Sequence, residues 1–334
     1  MKNFLLSLVS FFAFQFAVTA QDTFSIVAVD TLTGEVGSAG ASCLDNSAIA
    51  GGAVIISDII PGRGAIHTQS YWHPTNQANA HEKMLEGLSP EEIINWLENN
   101  DVQNQPGRRQ YGIVDFDETG SSRSAAFTGV NCMDWKGHHT GANYSIQGNI
   151  LLGQAIIDSI EARFLRTEGS LADKLMAALQ GAKVVGADTR CAPEGVSSLS
   201  AFLRVAQADN ESDSLFLDLN VPETPDGVEP IDELQTLYNE WLNWVGQQEK
   251  QTDNQLFDVF PNPAQQWVQF RHTLQNAEQL EVELLDLQGR LLEKVSVNNS
   301  SGRISVKDIK PGLYILNLKQ GERILASRKI YRSL

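Results

Sequence analysis

The segment Phe24-Ser25-Ile26-Val27-Ala28-Val29-Asp30 alternates in the manner of a strand, Thr33-Gly34 marks a turn, and Glu35 to Ser42 continues as a second strand. Two such runs across a short turn predict a hairpin. Ala48 to Ile60 is small and β-branched and also reads as strand; Gly62-Arg63-Gly64 interrupts it before Ala65 to Tyr71 resumes. From Asn76 to Glu86 the period becomes helical. Ser89-Pro90-Glu91-Glu92 is a helix start, with Ser89 as N-cap, Pro90 in the first turn and Glu92 closing a capping box. Ile93, Ile94, Trp96 and Leu97 form the buried stripe of that helix.

A second strand block, Gln110 to Phe116 and Ser124 to Thr128, alternates around the turn at 117–120. Two helices follow, one through Ile156, Ile157, Ile160, Phe164 and Leu165 and one over Ser170 to Gln180. Ser197 to Gln207 and Leu215 to Asn220 return to strand, and Pro230 to Val245 reads as an amphipathic helix. Strands cluster in hairpins instead of alternating singly with helices, which favours antiparallel sheets with helices on the outer faces. No glycine-rich phosphate loop follows a strand. Gly246 to Gln255 is polar and reads as a linker. Beyond it lie five to seven short strands, among them Val268 to His272, Glu281 to Leu287, Arg303 to Val306, Gly312 to Leu318 and Arg323 to Tyr331. They predict a small all-β sandwich.

Charge sharpens the division. The chain of 334 residues has a formal net charge of -16. Residues 257–334 hold 11 Lys and Arg against 8 Asp and Glu, and the remainder holds 14 against 33. An acidic body repels phosphate backbones, which argues against nucleic acid as a partner. At the other end, Lys2, the uncharged apolar run Phe4 to Val18, and Val18-Thr19-Ala20 form a signal peptide over 1–20, with Gln21 as the expected mature N-terminus. No later stretch is apolar enough to span a membrane, so no integral segment is expected after processing. Export permits disulfides. The three cysteines, Cys43, Cys132 and Cys191, allow one bond and one free thiol, or three buried thiols.

The tail resembles the C-terminal sorting domain of type IX secretion. The resemblance rests on Phe257-Asp258-Val259-Phe260-Pro261-Asn262-Pro263, Leu285-Asp286-Leu287-Gln288-Gly289-Arg290, Ile309-Lys310-Pro311-Gly312-Leu313-Tyr314 and Arg328-Lys329-Ile330-Tyr331, in that order. It implies that residues 257–334 are read by the type IX secretion machinery. The cargo would pass through the periplasm to the cell surface or the extracellular space.

The body resembles the domain of unknown function 1028, a family placed among the Ntn-hydrolase-like proteins. The matching stretches include Thr23-Phe24-Ser25-Ile26-Val27-Ala28, Gly64-Ala65-Ile66-His67-Thr68-Gln69 and Arg109-Gln110-Tyr111-Gly112-Ile113-Val114-Asp115. Ala126-Phe127-Thr128-Gly129, Gln147-Gly148-Asn149-Ile150-Leu151, Gly186-Ala187-Asp188-Thr189-Arg190 and Pro230-Ile231-Asp232-Glu233-Leu234 complete the set. The resemblance implies an αββα sandwich, and with the strand pattern of the tail the chain is expected to be α+β: the sandwich over 21–246, a linker over 247–256 and the small β-sandwich over 257–334.

It also implies a candidate reaction. In Ntn hydrolases an N-terminal Thr, Ser or Cys attacks an amide carbonyl and its own α-amine is the base. Thr23 opens the first strand, the expected place, but cleavage after Ala20 leaves Gln21-Asp22 ahead of it. Either those two residues are trimmed or Thr23 merely starts a strand. Asp188 and Arg190 could orient a substrate carboxylate or amide, or pin their loop. Gln147 and Asn149 flank Gly148 and could donate to an oxyanion or serve a turn; Gln69 and Thr128 join the candidate substrate-binding set. His67, between Ile66 and Thr68, reads as a hydrogen-bonded core residue. His138-His139 with Asp134 is a weak metal pattern, because adjacent side chains in a strand point opposite ways. Arg108-Arg109 reads as a solvated or salt-bridged face. No cofactor is expected. An amidohydrolase acting on a peptide or small amide, a non-catalytic domain binding a small molecule or peptide, and a structural surface protein all remain open.

Overall fold

A computed structural model describes residues 23–262, 264–274, 280–286, 289–297, 299–321 and 323–332, with side chains of 244–255 left out of the description. Residues 1–20, read above as a signal peptide, and Gln21-Asp22 lie outside the described residues. The chain divides into two compact units, the first ending at Tyr238 and the second beginning at Asn239.

In the first unit, β1 (Thr23–Val29) and β2 (Val36–Ser42) form the expected hairpin, with Thr23 opposite Ser42 and Val29 opposite Val36. Gly34 closes the turn at φ +76°, a conformation that costs glycine nothing. Strands β3 (Ser57–Ile60), β4 (Gly64–Gln69), β5 (Gln110–Phe116) and β6 (Ser122–Thr128) form one antiparallel sheet in that order. Strands β7 (Gly137–Gly141), β8 (Tyr144–Gly148), β9 (Ser200–Ala206) and β10 (Leu217–Val221) join the hairpin in a six-stranded sheet ordered β10-β9-β2-β1-β8-β7. Every pairing in both sheets is antiparallel.

Helices α1 (Pro74–Leu85) and α2 (Pro90–Asn99) pack on the four-stranded sheet, α3 (Gln154–Arg166) and α4 (Leu171–Ala182) pack on the six-stranded sheet, and the two sheets face each other. The order is helix, sheet, sheet, helix. It explains why all seven residues of β1 are buried, since its two faces are both covered. The capping box at Ser89 and Glu92 is present in full.

The structure departs from the sequence reading in two places, adds two strands and divides one pair. Within 48–60, Gly51 and Gly52 take φ of +89° and +66° and lead into a 3-10 turn over Gly52–Ile56, so only Ser57–Ile60 is strand. Strands β7 and β8 carry His138-His139-Thr140 and Ser145, Gln147, polar residues that hid their strand character. The helix α5 (Pro230–Leu256) runs through the segment read as a linker. Gln, Glu and Lys are good helix formers, and no proline stands between Pro230 and Leu256 to stop it. The pair 108–109 divides between the two readings given for it: Arg108 is exposed, and Arg109 is salt-bridged to Asp101, though buried instead of on a face.

In the second unit, β11 (Phe257–Phe260), β12 (Trp267–His272) and β15 (Ser301–Ser305) form one sheet. Strands β13 (Leu280–Leu285), β14 (Leu291–Val297), β16 (Gly312–Gln320) and β17 (Arg323–Arg332) form the other, ordered β14-β13-β16-β17. Phe257, Val268, Phe270, Val282, Ile304, Leu316 and Ile330 fill the core of this all-β unit.

Candidate functional site

Strand register brings several termini to one edge of the first unit. Thr23 starts β1 opposite Ser42, the last residue of β2, and Phe24 pairs with Gly148, the last of β8. In the facing sheet, Gln69 ends β4 opposite Gln110, which starts β5 opposite Thr128, the end of β6. Side chains stitch the two ends together. Gln69 donates from Nε2 to the Thr23 carbonyl at 3.1 Å and to Gln110 Oε1 at 2.7 Å. Gln110 donates to the Gly148 carbonyl at 2.9 Å, and Asn149 donates from Nδ2 to Gln110 Oε1 at 3.0 Å. Thr23, Gln69, Gln110 and Asn149 are all buried.

The network continues inward between the sheets. Ser25 donates to Gln69 Oε1 at 2.7 Å, and Gln147 donates from Nε2 to Ser25 Oγ at 2.7 Å and to His67 Nδ1 at 3.1 Å. An amide nitrogen only donates, so His67 Nδ1 accepts and Nε2 carries the proton. That Nε2–H then donates to Ser38 Oγ at 2.6 Å, and Ser38 donates to Ser57 Oγ at 2.8 Å. Burial, seconded by the Arg204 charge, pushes the His67 pKa down to about 3, consistent with a neutral ring. A neutral imidazole with both nitrogens engaged is a structural member of the network and no free base. Gln147 approaches so closely that a Cβ on Gly112 would sit 1.8 Å from its Oε1.

The candidate residues therefore fall into two groups. Thr23, Gln69 and Asn149 meet at the sandwich edge, with the Asn149 backbone N–H donating to the Thr23 carbonyl at 3.3 Å. Thr128 sits beside them, receiving Gln110 Nε2 at 2.8 Å and lying 2.8 Å from His138 Nδ1. Gln147 lies deeper, its amide nitrogen committed to Ser25 and His67. Asp188 caps a 3-10 turn over Thr189–Cys191 and is fully buried. Its carboxylate accepts from Arg190 Nη2 at 2.7 Å, Nε at 3.0 Å and the Cys43 backbone N–H at 3.0 Å. Cys43 follows Ser42, the partner of Thr23, and is disulfide-bonded to Cys191; Cys132 is a buried free thiol. The Asp188 loop is thus fastened beside the start of β1.

Three buried oxygens at this end of the four-stranded sheet and after β8 have no hydrogen-bond partner among the described residues: Thr68 Oγ1, Ser70 Oγ and Asn149 Oδ1. Such groups cost roughly 1–3 kcal/mol each when left unmade. Ser70 and Tyr71 also hold positive φ, +53° and +59°, which non-glycine residues rarely adopt. Sequence patterning missed Ser25, Gln110 and Ser38. Their one signal was a polar residue at a strand position otherwise reserved for apolar ones.

The histidine pair divides. His138 faces Thr128, and His139 Nε2 lies 2.9 Å from Glu161 Oε1. Burial, then the neighbouring His139 charge, lowers the His138 pKa. Among the described residues no three metal-ligating side chains cluster. None of the described helices is long and apolar enough to cross a membrane.

A model of a family of unknown function, DUF1028, matches residues 23–234. A secretion system C-terminal sorting domain matches residues 258–331, which assigns the tail to the type IX secretion machinery and directs the chain to the cell surface or beyond. No curated protein matches the chain. Among solved structures, a DUF1028 protein from Silicibacter pomeroyi is 23% identical, with a TM-score of 0.52, over 67% of this chain and 93% of that one. Domains 3 and 4 of rat CD4 align at 10% identity over 68% of this chain and 78% of that one, with a TM-score of 0.19.

Proposed function

The chain belongs to the DUF1028 family, and from that premise we propose that its body is an exported amidohydrolase of the N-terminal-nucleophile kind, with Thr23 as nucleophile. The observation that carries the reading is the environment of Thr23. It opens a strand buried on both faces, at the one edge where Gln69 and Asn149 converge on it. Beside it Asn149 keeps a buried, unpartnered Oδ1. A carbonyl oxygen without a donor is suited to an incoming N–H, from a substrate amide or from the Thr23 amine itself.

The mechanism requires the peptide bond before Thr23 to be opened. The freed α-amine, with a pKa near 8, then takes the Thr23 hydroxyl proton as Oγ attacks the substrate carbonyl. The C–N bond breaks as the amine hands that proton to the leaving nitrogen, giving an ester on Thr23 and a released amine. Water attacks the ester by the same route in reverse and restores the threonine. Gln69 and the Asn149 N–H hold the Thr23 carbonyl and so fix the backbone from which the hydroxyl and amine project.

A second reading, ligand binding without turnover, is favoured by Asp188, whose carboxylate is occupied by Arg190 and Cys43. Mass spectrometry of the secreted protein separates the two. Hydrolysis predicts Thr23 as residue one, amine release from peptide amides, and loss of release in Thr23→Ala. A mature chain beginning at Gln21, with amine release that survives Thr23→Ala, sinks the mechanism.

A further inference from the structure

At the same edge, three arginines differ in what they hold. Arg109 is buried and paired with Asp101 at 2.7 Å, and Arg190 is paired with Asp188 at 2.7 Å. Arg108 is exposed; its guanidinium lies 5.1 Å from the centre of the Tyr71 ring, and among the described residues no carboxylate pairs with it.

Its position is braced. The Arg109 guanidinium donates to the Tyr71 carbonyl as well as to Asp101, and the Arg109 N–H donates to the Pro106 carbonyl at 2.9 Å. One buried side chain thereby ties the turn that carries Arg108 to the backbone that carries its aromatic platform. Tyr71 stands two residues beyond Gln69, whose amide touches Thr23, and two residues span at most about 7 Å of chain. Between them Ser70 keeps a fully buried hydroxyl with no partner. An exposed cation held on an aromatic face, with no carboxylate closed on it among the described residues, is matched to an anionic oxygen.

We propose that Arg108, stacked on Tyr71, seats a carboxylate of the molecule whose amide reaches Thr23, so that the substrates are carboxylate-bearing amides. The inference rests on the amidohydrolase reading for the word substrate, but the seat itself needs only binding. The two-residue step from Gln69 to Tyr71, at most about 7 Å of chain, sets the scale of the amido acids compared, and the length that fits is read from the series.

The test uses adipamate, pimelamate and suberamate against their neutral diamides, titrated calorimetrically into the secreted wild-type protein, with ammonia release followed in parallel. The expected result is that at least one amido acid binds about 10-fold or more tightly than its diamide, the loss anticipated for one charge-assisted pair. Arg108→Ala removes that preference, Arg108→Lys keeps part of it, and Thr23→Ala keeps it whole while ending ammonia release. Equal binding of acid and diamide, no binding of any amido acid, or a preference that survives Arg108→Ala in a protein with an unchanged melting profile overturns the proposal. If the preference depends on Arg108 but no ammonia appears even from a chain that begins at Thr23, the hydrolase reading falls and the carboxylate seat stands.

Discussion

Asp188 accepts the backbone N–H of Cys43 at 3.0 Å across 145 residues of sequence, while the Arg190 side chain closes on the same carboxylate. The contact fastens a loop to the end of β2, one residue past the partner of Thr23. Asp188→Ala removes the acceptor of the part-buried Cys43 N–H and the carboxylate that the half-buried Arg190 guanidinium closes on. The expected loss is about 2–3 kcal/mol, below the 3–5 of a fully buried pair because Arg190 is partly solvated. Urea unfolding measures it. A variant of full stability that no longer binds ligand would show that the pair acts as a site.

The Cys43–Cys191 disulfide closes a loop of 148 residues. The chain-entropy account assigns such a loop about 5 kcal/mol, as an upper figure. Cys43→Ser with Cys191→Ser is expected to lower the denaturation midpoint of the first unit strongly. No change in midpoint on adding reductant to the wild type contradicts this.

His67 sets a pH dependence. Its folded pKa, about 3, lies below the unfolded value near 6.5, so the unfolded chain binds the extra proton first. Its contribution is complete above pH ~6.5 and declines as pH falls toward 3. The slope is about 1.4 kcal/mol per unit, or roughly 2 kcal/mol by pH 5. His67→Gln is expected to be less stable at neutral pH yet flatter between pH 7 and 5, read by urea titrations across that range.

Gly112→Ala is expected to be among the most damaging single substitutions in the first unit. The new Cβ meets Gln147 Oε1 at 1.8 Å, in a side chain already tied to Ser25 and His67. Displacing that amide strands several buried partners, for a loss of about 3 kcal/mol or more. A melting temperature within a degree of wild type rules out the packing described here.

Much of the fold was legible in the chain because it rests on local rules. The β1–β2 hairpin follows from Thr33-Gly34, the α2 start from Ser89 and Glu92, and the antiparallel class from clustered strands. The polar strands β7 and β8 were not legible. His138, His139 and Gln147 break the apolar pattern, and their place in a strand depends on partners far along the sequence. The helical run of α5 past Val245 was misread because polarity was taken for a linker, although glutamine, glutamate and lysine favour helix.

The sequence by itself determined the export tail and the body's family, because these are carried by ordered motifs that need no folding to be read. It also placed Thr23 at the head of a strand. Only the tertiary structure decided which polar residues meet there. Gln69, Asn149 and Thr23 come from three strand ends, and their convergence is set by sheet register and by two sheets packing face to face. Local patterns carry no information about that pairing, which arises when buried amides must find partners across the sandwich.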